Sequence, residues 1–130
     1  MEIKMKTVPQ LIDIYGRIKT ISLPIKTAYK FNKLFEAIKE SNEFYRNEIT
    51  KIIDQYAEKD ENGVPKPTQD GAGISISPEN VEITHRKIDE LWNIDVDIQK
   101  NITFAIDELD GLNLTLEDLE ILNPFIQDEE

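Results

Sequence analysis

Residues 31–56 read FNKLFEAIKESNEFYRNEITKIIDQY, a segment without proline or glycine in which apolar side chains return every three or four positions. This spacing is typical of a helix with one apolar face. Neither residue occurs after Pro24 until beyond Lys59. We therefore predict one helix of about 36 residues, or ~54 Å at 1.5 Å per residue. Because helices average ~11–12 residues, one this long needs several packing partners, and those partners decide the fold.

The apolar face of this helix follows a heptad repeat, and we call its a and d positions the heptad seam. Asn42 occupies an a position, where a polar residue fixes register and oligomeric state in coiled coils. The same face would also pack against the other helices of this chain, and its bulky aromatic residues favour that arrangement. Those helices together contain fewer residues than the long helix, so we expect part of its apolar face to be left uncovered within the chain and to contact another subunit. The seam comprises Phe31, Phe35, Ile38, Asn42, Tyr45, Ile49, Ile52 and Tyr56.

The residues before the long helix predict a short strand and a shorter helix. Residues 1–5 alternate apolar and charged side chains, a pattern typical of a strand. Thr7 is a candidate N-cap of the first helix, and Ser22, followed by Pro24, is the candidate N-cap of the long one. The apolar face of the first helix is predicted to hold Leu11, Ile12, Tyr15 and Ile18.

Residues 56–76, YAEKDENGVPKPTQDGAGISI, connect the long helix to a third helix. Asn62-Gly63 and Asp70-Gly71 predict turns, and two prolines exclude a central strand, so a small ribbon or an ordered loop is expected. Ser77 is a candidate N-cap for the third helix, which would return beside the second in an antiparallel αα-hairpin. The apolar face predicted for it contains Val81, Thr84, Ile88, Leu91 and Trp92.

In the C-terminal part of the chain, apolar side chains recur at every second residue. Residues 94–98 and 102–106 alternate in the manner of strands. Thr115 and Asp118 resemble a capping box at the start of a short final helix, after which Phe125 can dock on the core. The acidic tail, residues 127–130, is expected to fray. The predicted fold is a single α+β domain over residues 1–130, mainly α, with a small antiparallel sheet and a short C-terminal helix.

Composition limits the classes of function. The chain has 130 residues, 15 basic and 26 acidic, for a net charge of −11, and it contains no cysteine. This charge disfavours direct binding to nucleic acid or to anionic membranes, which need lysine and arginine to neutralise phosphates. Most of the basic residues lie between Met1 and Lys59, and the rest of the chain is strongly acidic. Two surfaces of opposite charge could attract each other, so head-to-tail self-association is one possible use of this uneven distribution. We expect no membrane span and, lacking a signal-peptide pattern, the cytoplasm of the producing cell.

Candidate catalytic and metal-binding residues are weak. His85 is the one histidine, and it lies beside the apolar stripe of the third helix. The loops containing Gly63 and Gly111 each lack a ligand required of an EF-hand. Carboxylate pairs such as Asp95/Asp97 and Asp107/Asp110 are better explained as a solvated face than as an acid–base pair. We therefore predict no catalytic residues, no cofactor and no metal, and a protein that is not an enzyme.

Two segments resemble a known group of proteins. YAEKDENGVP (56–65), at the end of a long helix, and LTLEDLEILNPFI (114–126) are similar to segments of small uncharacterised proteins of tailed bacteriophages and prophages. In that group a long helix leads into a YxxKDENG-type turn, a GxxI segment, a further helix and a PFI ending. The resemblance implies a phage gene product located in the bacterial host cytoplasm or the virion. It implies no site residues, because the activity of the family is not established.

Two functions are compatible with these patterns. The first is a non-enzymatic phage protein that acts through contacts with itself or with another phage or host protein, as an oligomeric component of virion structure or assembly. The alternative is an acidic mimic of nucleic acid that inhibits a host defence or DNA-processing protein. That role requires carboxylates at phosphate-like spacing on one face.

Overall fold

The computed structural model describes residues 1–98 and 102–127. The predicted acidic tail lies outside the described residues except for Gln127. Within these ranges, two strands pair in an antiparallel sheet and the chain forms four α-helices, so the mainly helical α+β class is confirmed. The elements are β1 (Glu2–Lys4), α1 (Thr7–Ile18), α2 (Ile25–Tyr56), α3 (Val81–Trp92), β2 (Asp95–Asp97) and α4 (Leu116–Leu122).

Helix α2 has 32 residues and confirms the long helix. It ends at Tyr56, three residues before the predicted end, because the next residues are extended and pair with the returning chain. Ala57 bridges to Ile76, and Lys59 bridges to Pro65. These pairings satisfy backbone groups that a longer helix would have used.

The predicted helix caps are right for α4 alone. Thr115 Oγ1 accepts a hydrogen bond from the Asp118 N–H (3.1 Å), and Asp118 Oδ2 accepts one from the Thr115 N–H (3.0 Å). Thr7 is instead the first residue of α1. Ser22 lies before the true N-cap of α2, Pro24. Ser77 precedes a 3-10 turn leading into α3 and makes no side-chain capping hydrogen bond.

The buried face of α1 is rotated from the predicted one. Tyr15 is 37% exposed and packs at the edge of the core against Phe35, with ring centroids 4.1 Å apart and the rings tilted by 42°. Val8 and Ile14 are buried in place of Ile12 and Tyr15, because α1 packs against both α2 and α4. Both faces have helical spacing, so spacing alone did not distinguish them.

The sheet pairs the first residues of the chain with residues nearly a hundred positions later. Ile3 lies opposite Val96 in the antiparallel register. The predicted strand at 94–98 is thus confirmed in its centre. The predicted strand at 102–106 is wrong, because Phe104 forms only an isolated bridge to Ile126 and the chain then enters a 3-10 turn. Glu108 closes that turn by accepting a hydrogen bond from the Ala105 N–H (3.0 Å).

The hydrophobic core lies between α1, the first half of α2, the sheet and the C-terminal segment. Phe31 of α2 meets Phe104 with ring centroids 4.4 Å apart. Phe125 is fully buried, as predicted for its docking on the core. The core thus joins residues from both ends of the chain.

Helices α2 and α3 form the predicted antiparallel hairpin. The Ala57–Ile76 bridge places the start of α3 near the end of α2, and at the other end Trp92 Nε1 donates to the Tyr45 hydroxyl (3.3 Å). The connection between them is the predicted ribbon. In this ribbon, three segments of the chain are joined by a closed cycle of backbone hydrogen bonds, with N···O distances of 2.8–2.9 Å. The N–H of Glu58 donates to the Ser75 carbonyl, that of Ser75 to the Lys66 carbonyl, and that of Lys66 to the Glu58 carbonyl.

Candidate protein-binding groove

The heptad seam lies largely inside this chain. Its first half enters the hydrophobic core. In its second half, Tyr45 and Ile49 pack against the edge of the core, and the Tyr45 hydroxyl accepts a hydrogen bond from Trp92 of α3. The seam therefore has intramolecular partners along its length, and contact between its half-buried members and another subunit stays a prediction. Five members are buried (Phe31, Phe35, Ile38, Ile52 and Tyr56) and three are half-buried (Asn42, Tyr45 and Ile49).

The Gly63 loop, which has a partial calcium-site pattern, uses the carboxylate of Asp60 to fix a turn. Asp60 Oδ1 accepts hydrogen bonds from the N–H groups of Asn62 (2.8 Å) and Val64 (3.0 Å), and Gly63 takes a positive φ of 76°. These bonds are typical of an Asx turn. His85 is exposed on α3. Within residues 1–98 and 102–127, no group of three or more His, Cys, Asp or Glu is placed to hold a metal ion.

Two carboxylates form ion pairs that join elements of the fold. Asp118 accepts two hydrogen bonds from the Arg17 guanidinium (2.6 and 2.8 Å) while it caps α4. The Arg17 bonds lower the pKa of Asp118 to about 2. Glu108 accepts from Lys30 Nζ (2.6 Å), and this bond with that of Ala105 lowers its pKa. Both acids are fixed as carboxylates by structural partners, so neither is a candidate general acid.

A groove of about 850 Å³ lies between α2 and β2. We call it the α2–β2 groove. One wall is a side face of α2 and the other is formed by β2 with the residue before it. The wall on α2 uses heptad positions other than a and d, and is therefore separate from the seam. The lining residues are Met5, Glu36, Ala37, Glu40, Ser41, Phe44, Ile94, Asp95, Val96 and Asp97.

The strand along the groove has a free edge. Met5 N–H donates to Ile94 O (2.8 Å), and Ile98 N–H donates to Met1 O (2.7 Å), which fixes the hydrogen-bonded positions of the ladder. Hydrogen-bonded and non-hydrogen-bonded pairs alternate in an antiparallel ladder. The backbone N–H and C=O groups of Asp95 and Asp97 therefore point away from β1. Within the described residues, neither N–H group has a hydrogen-bond acceptor.

Side chains of two kinds surround this edge. Phe44 is 45% exposed and, with Ala37 and Val96, gives the groove an apolar floor. The acids form a rim on both walls. Asp95 pairs with Lys4 (2.6 Å), and Asp97 lies 3.8 Å from the N-terminal ammonium of Met1. The negative charge of Asp95 and Asp97 is therefore partly neutralised on the sheet side of the rim.

The rim on the α2 side carries Glu36 and Glu40. Glu36 contacts Lys33 (3.4 Å), and this carboxylate raises the pKa of Lys33. Glu40 has no cation within 4.0 Å in the part of the chain that the structure describes. The helix side of the rim therefore retains negative charge for a partner.

Sequence reasoning missed the groove because its walls come from distant segments. Glu36, Glu40 and Phe44 lie outside the seam and read as ordinary surface positions of a helix. The available signal was Phe44, a large apolar residue away from the a and d positions. The pair Asp95/Asp97 was recognised as exposed, and the structure places both at the rim. Nothing in the sequence shows that β2 would lie beside this part of α2.

No family model, curated protein or solved structure matches this chain. Among the helices in the described ranges, none is both long and apolar enough to cross a membrane. The groove must therefore be interpreted from its own geometry and chemistry.

Proposed function

We propose that this chain is a non-enzymatic bacteriophage protein that acts in virion structure or assembly by binding other proteins, and that the α2–β2 groove is a contact surface. The observation that carries the proposal is the free edge of β2 beside an exposed apolar floor. Sheet edges with unpaired backbone groups are used by proteins to bind extended segments of partners. The resemblance of residues 56–65 and 114–126 to phage proteins supports the viral part.

The groove chemistry favours binding over catalysis. A nucleophilic enzyme needs a hydroxyl, thiol or amine beside a base that activates it. Ser41 supplies the hydroxyl in the groove lining, and it makes no hydrogen bond to a carboxylate within the described residues. Apolar floor, charged rim and free backbone groups are the components of a recognition surface.

Photo-crosslinking tests the contact surface. A photoreactive phenylalanine analogue replaces Phe44 in the groove, and in a matched variant it replaces Tyr29, which is 60% exposed on α2 outside the groove. Both proteins are produced and irradiated in bacteria during phage production. We expect a discrete protein adduct from position 44 and not from position 29. Absence of an adduct at position 44, or the same adducts at both positions, would contradict the proposal.

The identity of the adduct separates the two functions. A capsid or tail protein supports a role in the virion, and a gene neighbourhood of tail and capsid genes supports it further. A host DNA-processing or defence protein would favour the acidic-mimic alternative, which stays a prediction. Sedimentation velocity tests self-association, since a strict monomer at high concentration would remove the homo-oligomer from the proposal.

A further inference from the structure

We infer that the α2–β2 groove receives an extended protein segment that alternates basic and apolar side chains and joins the sheet as a third strand beside β2. This inference rests on the proposed function and specifies the chemistry of its partner. It follows from three features of the groove, namely its backbone edge, the side chains along that edge and the wall formed by α2.

The backbone edge determines that the bound segment is extended. Asp95 and Asp97 each direct an N–H and a C=O away from β1, toward the open side of the sheet. A strand alongside satisfies these groups at an interstrand spacing of ~4.8 Å. A helix cannot do so, because its own backbone groups are already bonded within it.

The strand already paired with β2 shows which side chains fit. On β1, Lys4 lies opposite Asp95 with its Nζ 2.6 Å from the carboxylate, and Ile3 lies opposite Val96. Cross-strand pairs of this kind stabilise a sheet. A segment on the other edge meets the same Asp95, Val96 and Asp97. It is therefore best matched by basic residues opposite Asp95 and Asp97 and an apolar residue opposite Val96, whereas β1 itself places Glu2 opposite Asp97.

The α2 wall supports this pattern on the inner side of the added strand. Phe44 and Ala37 offer apolar surface to inward-facing side chains. Glu36 and Glu40 border that surface, so their negative charge attracts a basic segment to the groove while its apolar side chains contact the floor. Removing the exposed part of Phe44 from water adds to affinity.

A second copy of β2 is a poor occupant of the same edge. Antiparallel pairing of two β2 strands around Val96 would place Asp95 of one copy opposite Asp97 of the other. Like charges directly opposite each other destabilise a sheet. The groove therefore favours a basic segment of a different sequence over symmetric dimerisation through β2.

A labelled peptide tests the inference with the full chain. The probe is an N-acetylated hexapeptide alternating lysine and valine, and its binding is measured by fluorescence anisotropy. Two control peptides keep the length: one has glutamate in place of lysine, and one carries N-methyl groups on alternate amides, which prevents pairing along one edge. We expect the lysine probe to bind at least tenfold more tightly than either control. We also expect slowed hydrogen exchange at the Asp95 and Asp97 amides.

Matched variants locate the site. The double variant Glu36→Gln/Glu40→Gln removes two rim charges, and Glu48→Gln/Asp54→Asn removes two charges further along α2 outside the groove. We expect a several-fold loss of probe affinity from the first and little change from the second. Equal losses, or unchanged binding of the N-methylated peptide, would overturn strand addition. A specific adduct at Phe44 combined with no binding of the probe would retain the proposed function and reject this partner chemistry.

Discussion

The two halves of α2 have the same heptad spacing and different surroundings. In the first half, Leu34 and Ile38 are fully buried between α1, the sheet and the C-terminal segment. In the second half, where Trp92 of α3 bonds to Tyr45, the seam residues Tyr45 and Ile49 are only half-buried. A heptad pattern therefore specifies a helix with an apolar stripe, but it does not specify how completely the rest of the chain covers that stripe.

Cavity-forming substitutions should give the largest difference in stability between the two halves of α2. Leu34→Ala removes side-chain volume from a site enclosed on all sides, so we expect a loss of about 3–4 kcal/mol in the free energy of unfolding. Ile52 is 8% exposed and therefore less completely enclosed, so Ile52→Ala should cost about 2 kcal/mol. Urea denaturation monitored by circular dichroism measures both. Equal losses would show that the two halves are packed equally well.

The ion pair between Arg17 of α1 and Asp118 of α4 should stabilise the packing of these two helices. Asp118→Asn weakens both hydrogen bonds from Arg17 and the N-cap bond from Thr115, and we expect a loss of about 2 kcal/mol at pH 7. Glu117→Gln is the matched control, because this exposed neighbour carries the same kind of charge. Similar losses from the two variants in urea denaturation would contradict the structural role of the pair.

Acid should remove the same contribution from the unsubstituted protein. The folded pKa of Asp118 is about 2, below its ordinary value of 3.8. A carboxylate with a depressed folded pKa stabilises the fold above its unfolded pKa, and that contribution disappears as the pH falls through the folded value. The stability difference between the protein and Asp118→Asn should therefore shrink between about pH 4 and pH 2. A difference that stays constant across this range would contradict the assignment.

The sequence predicted the helices better than it predicted their surroundings. The length of α2, the hairpin with α3 and the Thr115–Asp118 capping box follow from local patterns, because spacing and turn chemistry act over a few residues. The Arg17–Asp118 pair and the α2–β2 groove join residues far apart in the chain, and local patterns contain no such information. The predicted strand at 102–106 failed for the same reason, since docking of Phe104 beside Phe125 overrode its alternation.

The smallest expected effect concerns a buried hydroxyl on α3, the helix that packs against α2. Thr84 is 4% exposed, and its Oγ1 has no hydrogen-bond partner among the described residues. A buried hydroxyl without a partner costs free energy, so Thr84→Val should stabilise the protein by about 0.5–1 kcal/mol. Thr84→Ser keeps the hydroxyl, loses a methyl group and should destabilise. Thermal unfolding of both variants measures the effect, and a lower melting temperature for Thr84→Val would show that this hydroxyl is satisfied in solution.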